Sequence, residues 1–179
     1  MKIVLMRHGE SEGNVAGLIN DDPARDVPLT ERGREQAAFA ANALRGLYFT
    51  HAYSSEFLRA RHTVEIVLRQ QVCNLEIDAR LNERLSGMDG LPVNVFHDAM
   101  FIDPLHTKSA GGESFMEQVE RLRRFLDETA LHHPHGVVLA VSHENPILAA
   151  KVAAGDDAGR TVREHIANCE WVELEWSAD

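Results

Sequence analysis

The chain has only two cysteines, Cys73 and Cys169, too far apart to form a paired motif. That excludes a disulfide-stapled scaffold or a thiolate metal cluster. Free thiols in a reducing compartment are the better reading, although spacing alone leaves a disulfide open. No apolar run approaches the roughly 20 residues that cross a bilayer. The continuous apolar run of four residues before Arg7 is too short for a secretory leader, so the expected location is cytoplasmic. Basic residues are also in deficit, with 18 Lys and Arg against 28 Asp and Glu and a formal net charge of -10. Nucleic acid and acidic membranes need a basic face, so neither is an expected partner. Any anion site must be a local basic pocket in an acidic protein. Repeats, low-complexity tracts and linkers are missing too. The 179 residues are therefore expected to form a single domain, 1–179.

What is present is organised around Arg7-His8-Gly9-Glu10, which follows the apolar run Ile3-Val4-Leu5-Met6. Such a run reads as a strand buried on both faces, and open α/β sheets collect their chemistry at the carboxyl ends of strands. Residues 9–28 read as a long loop. Thr30 can cap the next helix, striped by Ala37, Ala40, Ala41, Leu44 and Leu47. His51–Tyr53 reads as a short strand. Ser54 or Ser55 is expected to cap a second helix, and a third short strand is expected near Leu75–Ile77. Residues 84–112 lack a clean period and read as a lid or insert with a helical turn around Val93–Phe101. Ser114 and Glu117 form a capping box. Val137–Val141 is the second fully apolar strand, Pro146 suits the first turn of the helix after it, and Val172, Leu174 and Trp176 mark an edge strand. The order predicts a three-layer α/β/α fold with a mostly parallel sheet and helices on both faces.

Four strand ends carry polar groups: Arg7-His8, Ser54-Ser55 with Arg59, Glu83, and Ser142-His143. Guanidiniums offer forked donors to phosphate, an imidazole can attack phosphorus, and a carboxylate can protonate the leaving oxygen. This combination suggests phosphoryl transfer.

Arg7-His8-Gly9-Glu10-Ser11 with Asn14 resembles the signature of the histidine phosphatase (phosphoglycerate mutase-like) superfamily. Further matches follow in order: Leu29 through Ala37, Ser54-Ser55 with Arg59, Ala60 and Thr63, Leu81 through Arg84 with Gly87, Gly112-Glu113-Ser114, and Val141-Ser142-His143. The resemblance implies a phosphoglycerate mutase-like fold and a phosphatase acting on a small phosphorylated molecule through phospho-His8. In this implied scheme Arg7, Arg59 and His143 bind phosphoryl oxygens, Asn14 lines the pocket, and Glu83 is proton donor and then base. No metal or other cofactor is implied. A mutase, a protein phosphohistidine phosphatase and a catalytically weak phosphate sensor are the alternatives, and the chain is expected as a monomer or homodimer.

Several residues admit a plainer reading. Arg59 can pair with Glu56 or Glu65 on a helix surface, Glu113 rivals Glu83 as proton donor, and Asn14 and Ser11 suit an ordinary turn. His132, His133 and His135 read as a solvated loop, since no Cys or carboxylate completes a ligand set. His97 and His106 fall in the insert, where substrate is within reach. Two positions depart from the family pattern. Glu144 replaces a small residue and either repels an anionic substrate, points away or holds an amine. Asp89 stands where many relatives carry Glu.

Overall fold

A computed structural model describes residues 1–178. Five strands, β1 (Lys2–Arg7), β2 (His51–Ser54), β3 (Asn74–Ile77), β4 (Val137–Ser142) and β5 (Trp171–Glu175), form one sheet in the order β3-β2-β4-β1-β5. All neighbouring pairs are parallel except β1 with β5. The apolar runs of β1 and β4 are explained by burial on both faces. Ile3, Leu5, Val138 and Ala140 meet α5 (Phe115–His132) and α6 (Glu144–Ala153), whereas Val4, Met6, Leu139 and Val141 meet α2 (Glu31–Ala43) and α3 (Leu58–Val67). The layers are therefore helix, sheet, helix. On β5, Val172 and Leu174 are half-buried and Glu173 and Glu175 exposed, as an edge strand requires.

The caps fix where the helices start. Thr30 Oγ1 accepts from Gly33 N at 3.0 Å. Ser114 Oγ accepts from Glu117 N at 3.1 Å while Glu117 returns a carboxylate to Ser114 N at 2.7 Å. α3 departs from expectation: it begins at Leu58 behind Phe57, with no side-chain cap, and neither Ser54 nor Ser55 serves it. Ser54 ends β2, and Ser55 is committed to another partner described below.

The segment after β1 is not all loop. It contains α1 (Glu12–Ala16), held by a reciprocal Ser11–Asn14 capping box and closed by Gly17 at φ 65°. Gly13 and Asn14 are poor helix formers, which hides this turn from periodicity. Residues 84–112 contain α4 (Val93–Met100), where a helical turn is expected.

The two irregular segments are tied together. The Asp21 carboxylate accepts from Ser86 N and Ser86 Oγ, each at 2.6 Å, and from Gly87 N at 3.1 Å. Asp89 accepts from Asp21 N at 3.0 Å and pairs with Arg25 at 2.5 Å. Backbone bonds Ile19 N to Leu91 O at 2.8 Å, Gly90 N to Ile19 O at 2.9 Å and Val93 N to Gly17 O at 3.0 Å zip them further. Beneath α4, Arg84 is buried, donating to Glu113 O at 3.1 Å and Thr107 O at 2.9 Å.

The short α7 (Ala158–Thr161) lies between α6 and β5. His133 is less solvated than expected, since it stacks on His51 at 4.5 Å and its Nε2 lies 3.2 Å from Tyr53 OH. Cys73 and Cys169 are free thiols. Among the described residues, no helix is long and apolar enough to cross a membrane.

Candidate active site

The parallel register aligns Arg7 with Ser142 and Ser54 with Val141, so the carboxyl ends of β1, β2 and β4 share one edge of the sheet. A cleft of about 520 Å³ opens there, and Arg7, His8, Asn14, Arg59, Glu83 and Glu144 are among the residues that line it.

His8 is followed by Gly9 and Glu10, whose backbone lies so close to Gly33 at the start of α2 that a Cβ on Gly9 would strike Gly33 O and a Cβ on Gly33 would strike Glu10 O. Gly9 N donates to Thr63 Oγ1 at 3.0 Å. His8 is 3% exposed. Its Nδ1 lies 2.7 Å from Gly9 O, so Nδ1 carries the proton and donates it to that carbonyl. Nε2 accepts from Arg59 Nε at 3.1 Å. Burial, then Arg59 and Arg7, hold the His8 pKa well below its ordinary 6.5, so the imidazole is neutral.

The Arg59 guanidinium also donates from Nη2 to His143 Nδ1 at 3.2 Å and to Asn20 O at 3.1 Å, and from Nη1 to Asn20 Oδ1. It sits 4.3 Å over the Phe57 ring. Burial lowers its pKa from 12.5 to about 10, which leaves it cationic near neutral pH. No ion pair forms with Glu56 or Glu65 among the described residues. His143 is fully buried behind Arg59 rather than on the cleft wall, with its ring 5.0 Å from that of His8. Its Nε2 lies 2.8 Å from Ser55 Oγ, and burial followed by Arg59 depresses its pKa well below 6.5.

Arg7 Nη1 donates to Ile166 O at 2.5 Å and lies 3.2 Å from Glu144 Oε2. Glu144 Oε1 accepts from Ile166 N at 3.0 Å and lies 2.5 Å from His165 Nδ1. The carboxylate therefore does hold a cation, the Arg7 guanidinium, and is not loose in the cleft. Glu83 Oε1 accepts from Arg84 N at 2.8 Å. Burial raises the Glu83 pKa above 4.5, with the negative charge of Glu144 adding to the rise and Arg59 and Arg7 opposing it. Glu113 is spent elsewhere, paired with Arg121 and accepting from Leu85 N at 3.1 Å, so it is not a rival donor in this cleft. Asn14 Oδ1 is occupied by Ser11 N and Oγ, each at 3.0 Å, which turns its amide N–H groups outward. Its turn role and its place on the cleft wall coexist.

Sequence reasoning missed Asn20, which holds Arg59, and read Ser55 as a strand-end polar group or helix cap rather than as the partner of His143. It also missed Asn168, whose Nδ2 donates to His8 O at 3.0 Å. Of the histidines in the insert, His97 lines the cleft, whereas His106 pairs with Asp103 at 3.2 Å.

A mostly parallel α/β/α sandwich with two buried neutral imidazoles joined by an arginine at the carboxyl edge of its sheet defines an anion-handling α/β protein. The chain belongs to the histidine phosphatase superfamily (branch 1), whose sequence profile matches residues 3–179. It is 31% identical over 154 residues to the adenosylcobalamin/alpha-ribazole phosphatase of Escherichia coli strain K12, covering 80% of this chain and 74% of that protein. It is 34% identical over 152 residues to the 2,3-bisphosphoglycerate-dependent phosphoglycerate mutase of Thermoplasma acidophilum, covering 84% and 74%. In three dimensions it is similar to the mycobacterial glucosyl-3-phosphoglycerate phosphatase in complex with VO3. The TM-score is 0.84, with 26% identity over 97% of this chain and 92% of that one.

Proposed function

We propose that this protein is a metal-independent phosphatase that hydrolyses small-molecule phosphate monoesters through a phosphohistidine on His8. The observation that carries this reading is the Arg59 guanidinium, hydrogen-bonded to both His8 Nε2 and His143 Nδ1. A nucleophile, a cation and a second imidazole then surround the volume of one phosphoryl group.

In this scheme the phosphoryl group takes the place of the hydrogen bond between His8 Nε2 and Arg59. Arg59 and Arg7 donate to its oxygens, and the outward amide of Asn14 adds a neutral donor. His8 Nε2 forms a bond to phosphorus as the bond to the leaving oxygen breaks, while Nδ1 keeps its proton on Gly9 O. Protonated Glu83 gives its proton to the leaving oxygen. Its carboxylate then takes a proton from water as that water attacks phosphorus, the N–P bond breaks and phosphate leaves. His143 reaches the phosphoryl oxygens once Arg59 turns to them. While Arg59 donates to His143 Nδ1, the ring proton sits on Nε2 and is donated to Ser55 Oγ. Once Arg59 turns to the ligand, the Ser55 hydroxyl donates to Nε2 instead and the ring proton exchanges to Nδ1, facing the phosphoryl oxygens. Residues 84–112 act as the specificity insert of a single domain working in the cytoplasm.

The mutase reading is supported by the 34% identity to the Thermoplasma acidophilum enzyme. The sensor reading loses its motive, because Glu144 is engaged by Arg7, Ile166 and His165. The deciding experiment measures phosphate release from a panel of esters in excess chelator, for wild type and His8→Ala. Release by wild type alone, with an acid-labile phosphoprotein trapped on quenching, is the expected result. Turnover retained by His8→Ala overturns the nucleophile assignment. Phosphate exchange between hydroxyls that needs a bisphosphorylated primer favours the mutase.

A further inference from the structure

The cleft has two chemically different ends. Around His8 it is polar and cationic. Away from His8 its wall is supplied by Leu18 from the segment after α1, Val93, Phe96, Met100 and Phe101 from α4 and its end, and Val162 from the end of α7. Leu18 is 41% exposed and Phe101 74%, so apolar surface faces open space next to a site that must take an organic group.

This wall is built in advance. The clamp of Asp21 on Ser86 and Gly87, together with the backbone bonds from Gly17 and Ile19 to residues 90–93, joins its two segments. Arg84 supports α4 from below and lies 5.1 Å from the Phe96 ring centre, so the ring is backed by a fixed cation.

The polar groups of this half are mostly committed. His165 is held by Glu144, Glu164 by Lys151, and Arg84 by the carbonyls of Glu113 and Thr107. Arg163 and His97 line the cleft, but Arg163 is solvent-exposed, and an exposed cation contributes little to holding an anion. A polyol or a second acid group placed here would lose hydration with only Asn145, His97 and the exposed Arg163 on the wall to replace it, which disfavours it. A hydrocarbon or aryl group would lose only unfavourable contact with water.

From this we infer that the cleft is built for phosphate monoesters of extended apolar or aryl alcohols, with the organic group laid against Leu18, Val93, Phe96 and Phe101. This rests on the reading of the polar end as the phosphoryl site.

The test is calorimetric binding of n-alkylphosphonates from ethyl to hexyl. They share one head group and have no ester bond to break, so they report on the organic subsite whether or not His8 turns over. Full burial of a methylene corresponds to about a fourfold gain in affinity, and a partly open cleft should return about twofold or more per methylene. Hexylphosphonate should therefore bind at least about tenfold more tightly than ethylphosphonate, and 2,3-dihydroxypropylphosphonate no better than ethylphosphonate. Phe101→Ser, at an exposed position that the core does not need, should shrink the ethyl-to-hexyl gradient to about threefold or less. The inference is overturned if the gradient is flat, if the dihydroxypropyl or a carboxyethyl compound binds more tightly than butylphosphonate, or if no phosphonate binds. An intact gradient without His8-dependent phosphate release overturns the turnover reading alone. Release with a flat gradient overturns the apolar subsite alone.

Discussion

Glu144 Oε2 lies 3.2 Å from Arg7 Nη1, so an acidic residue beside the second histidine neutralises part of the cationic wall facing His8. The same carboxylate is fastened to Ile166 N and His165 Nδ1, which anchors the segment before β5 to the cleft. Arg7 is thereby held in place at the cost of some of its attraction for a phosphoryl group.

Glu144→Gln should keep the hydrogen bond to Ile166 N and remove the charge. Inorganic phosphate should then inhibit on the order of threefold more tightly, the scale of one partly screened charge. The Glu144 charge raises the Glu83 pKa, so the alkaline limb of kcat/KM should also move to lower pH. An unchanged inhibition constant and an unmoved limb would mean that Glu144 is electrostatically silent at the site.

The pH dependence follows from two opposite shifts. His8 must be neutral to attack, and its pKa lies well below 6.5, so activity should persist on the acid side of pH 6.5. Glu83 must be protonated to serve the leaving group, and its pKa lies above 4.5, so activity should fall as pH rises through that raised value. The profile of kcat/KM for an unactivated ester should be bell-shaped with an acidic optimum. Glu83→Gln should remove the alkaline limb and slow unactivated esters far more than aryl esters with good leaving groups.

Stability should carry the same imprint. His8 and His143 are neutral in the fold and take up protons near 6.5 when unfolded. Below about pH 6.5 the unfolded chain therefore binds more protons, and stability falls as pH drops toward the folded-state pKa values. Each buried imidazole contributes up to about 1.4 kcal/mol per pH unit in that window. His8→Ala should make the acid side of a plot of Tm against pH shallower. Superimposable acid limbs for mutant and wild type would place the His8 pKa near its ordinary value.

Much of the frame was legible because burial on both faces forces the unbroken apolar runs of β1 and β4, and because Thr30, Ser114 and Glu117 cap as their residue types predict. What stayed hidden was long-range. A serine ahead of a helix is an ordinary cap by sequence, and only the fold shows that Ser55 instead meets His143, 88 positions later. Asn20 sits in a loop of turn-forming residues, with nothing local to mark its grip on Arg59, 39 positions away. Glu144 was visible as an oddity, but its partners Arg7 and His165 come from the two ends of the chain.

Ser55→Ala tests the tautomer role. Without that hydroxyl, His143 Nε2 loses the partner it has at 2.8 Å, and the proton on its ring is no longer directed. The variant should fold and should lower kcat/KM about tenfold, the scale of one hydrogen bond to a charged group. Phosphate inhibition should weaken in parallel. A stability loss with unaltered kinetics would reduce Ser55 to a packing residue.

Asp21→Asn tests whether the wall of the cleft depends on its clamp. Asp21 is 7% exposed, and its Oδ2 accepts from Ser86 N, Ser86 Oγ and Gly87 N. An amide in its place retains the shape but weakens bonds that a carboxylate makes strong, so a loss of about 1–3 kcal/mol is expected. Because these bonds fasten residues 84–112 rather than the sheet, the loss should appear first as faster proteolysis within that segment. Global Tm should fall by less, since local opening draws on only part of the folded structure. Catalysis should respond through KM, because the insert carries Phe96 and Met100 to the cleft while His8 and Arg59 stand on the sheet edge and α3. A drop in kcat at constant KM would mean that the clamp acts on the reacting groups themselves.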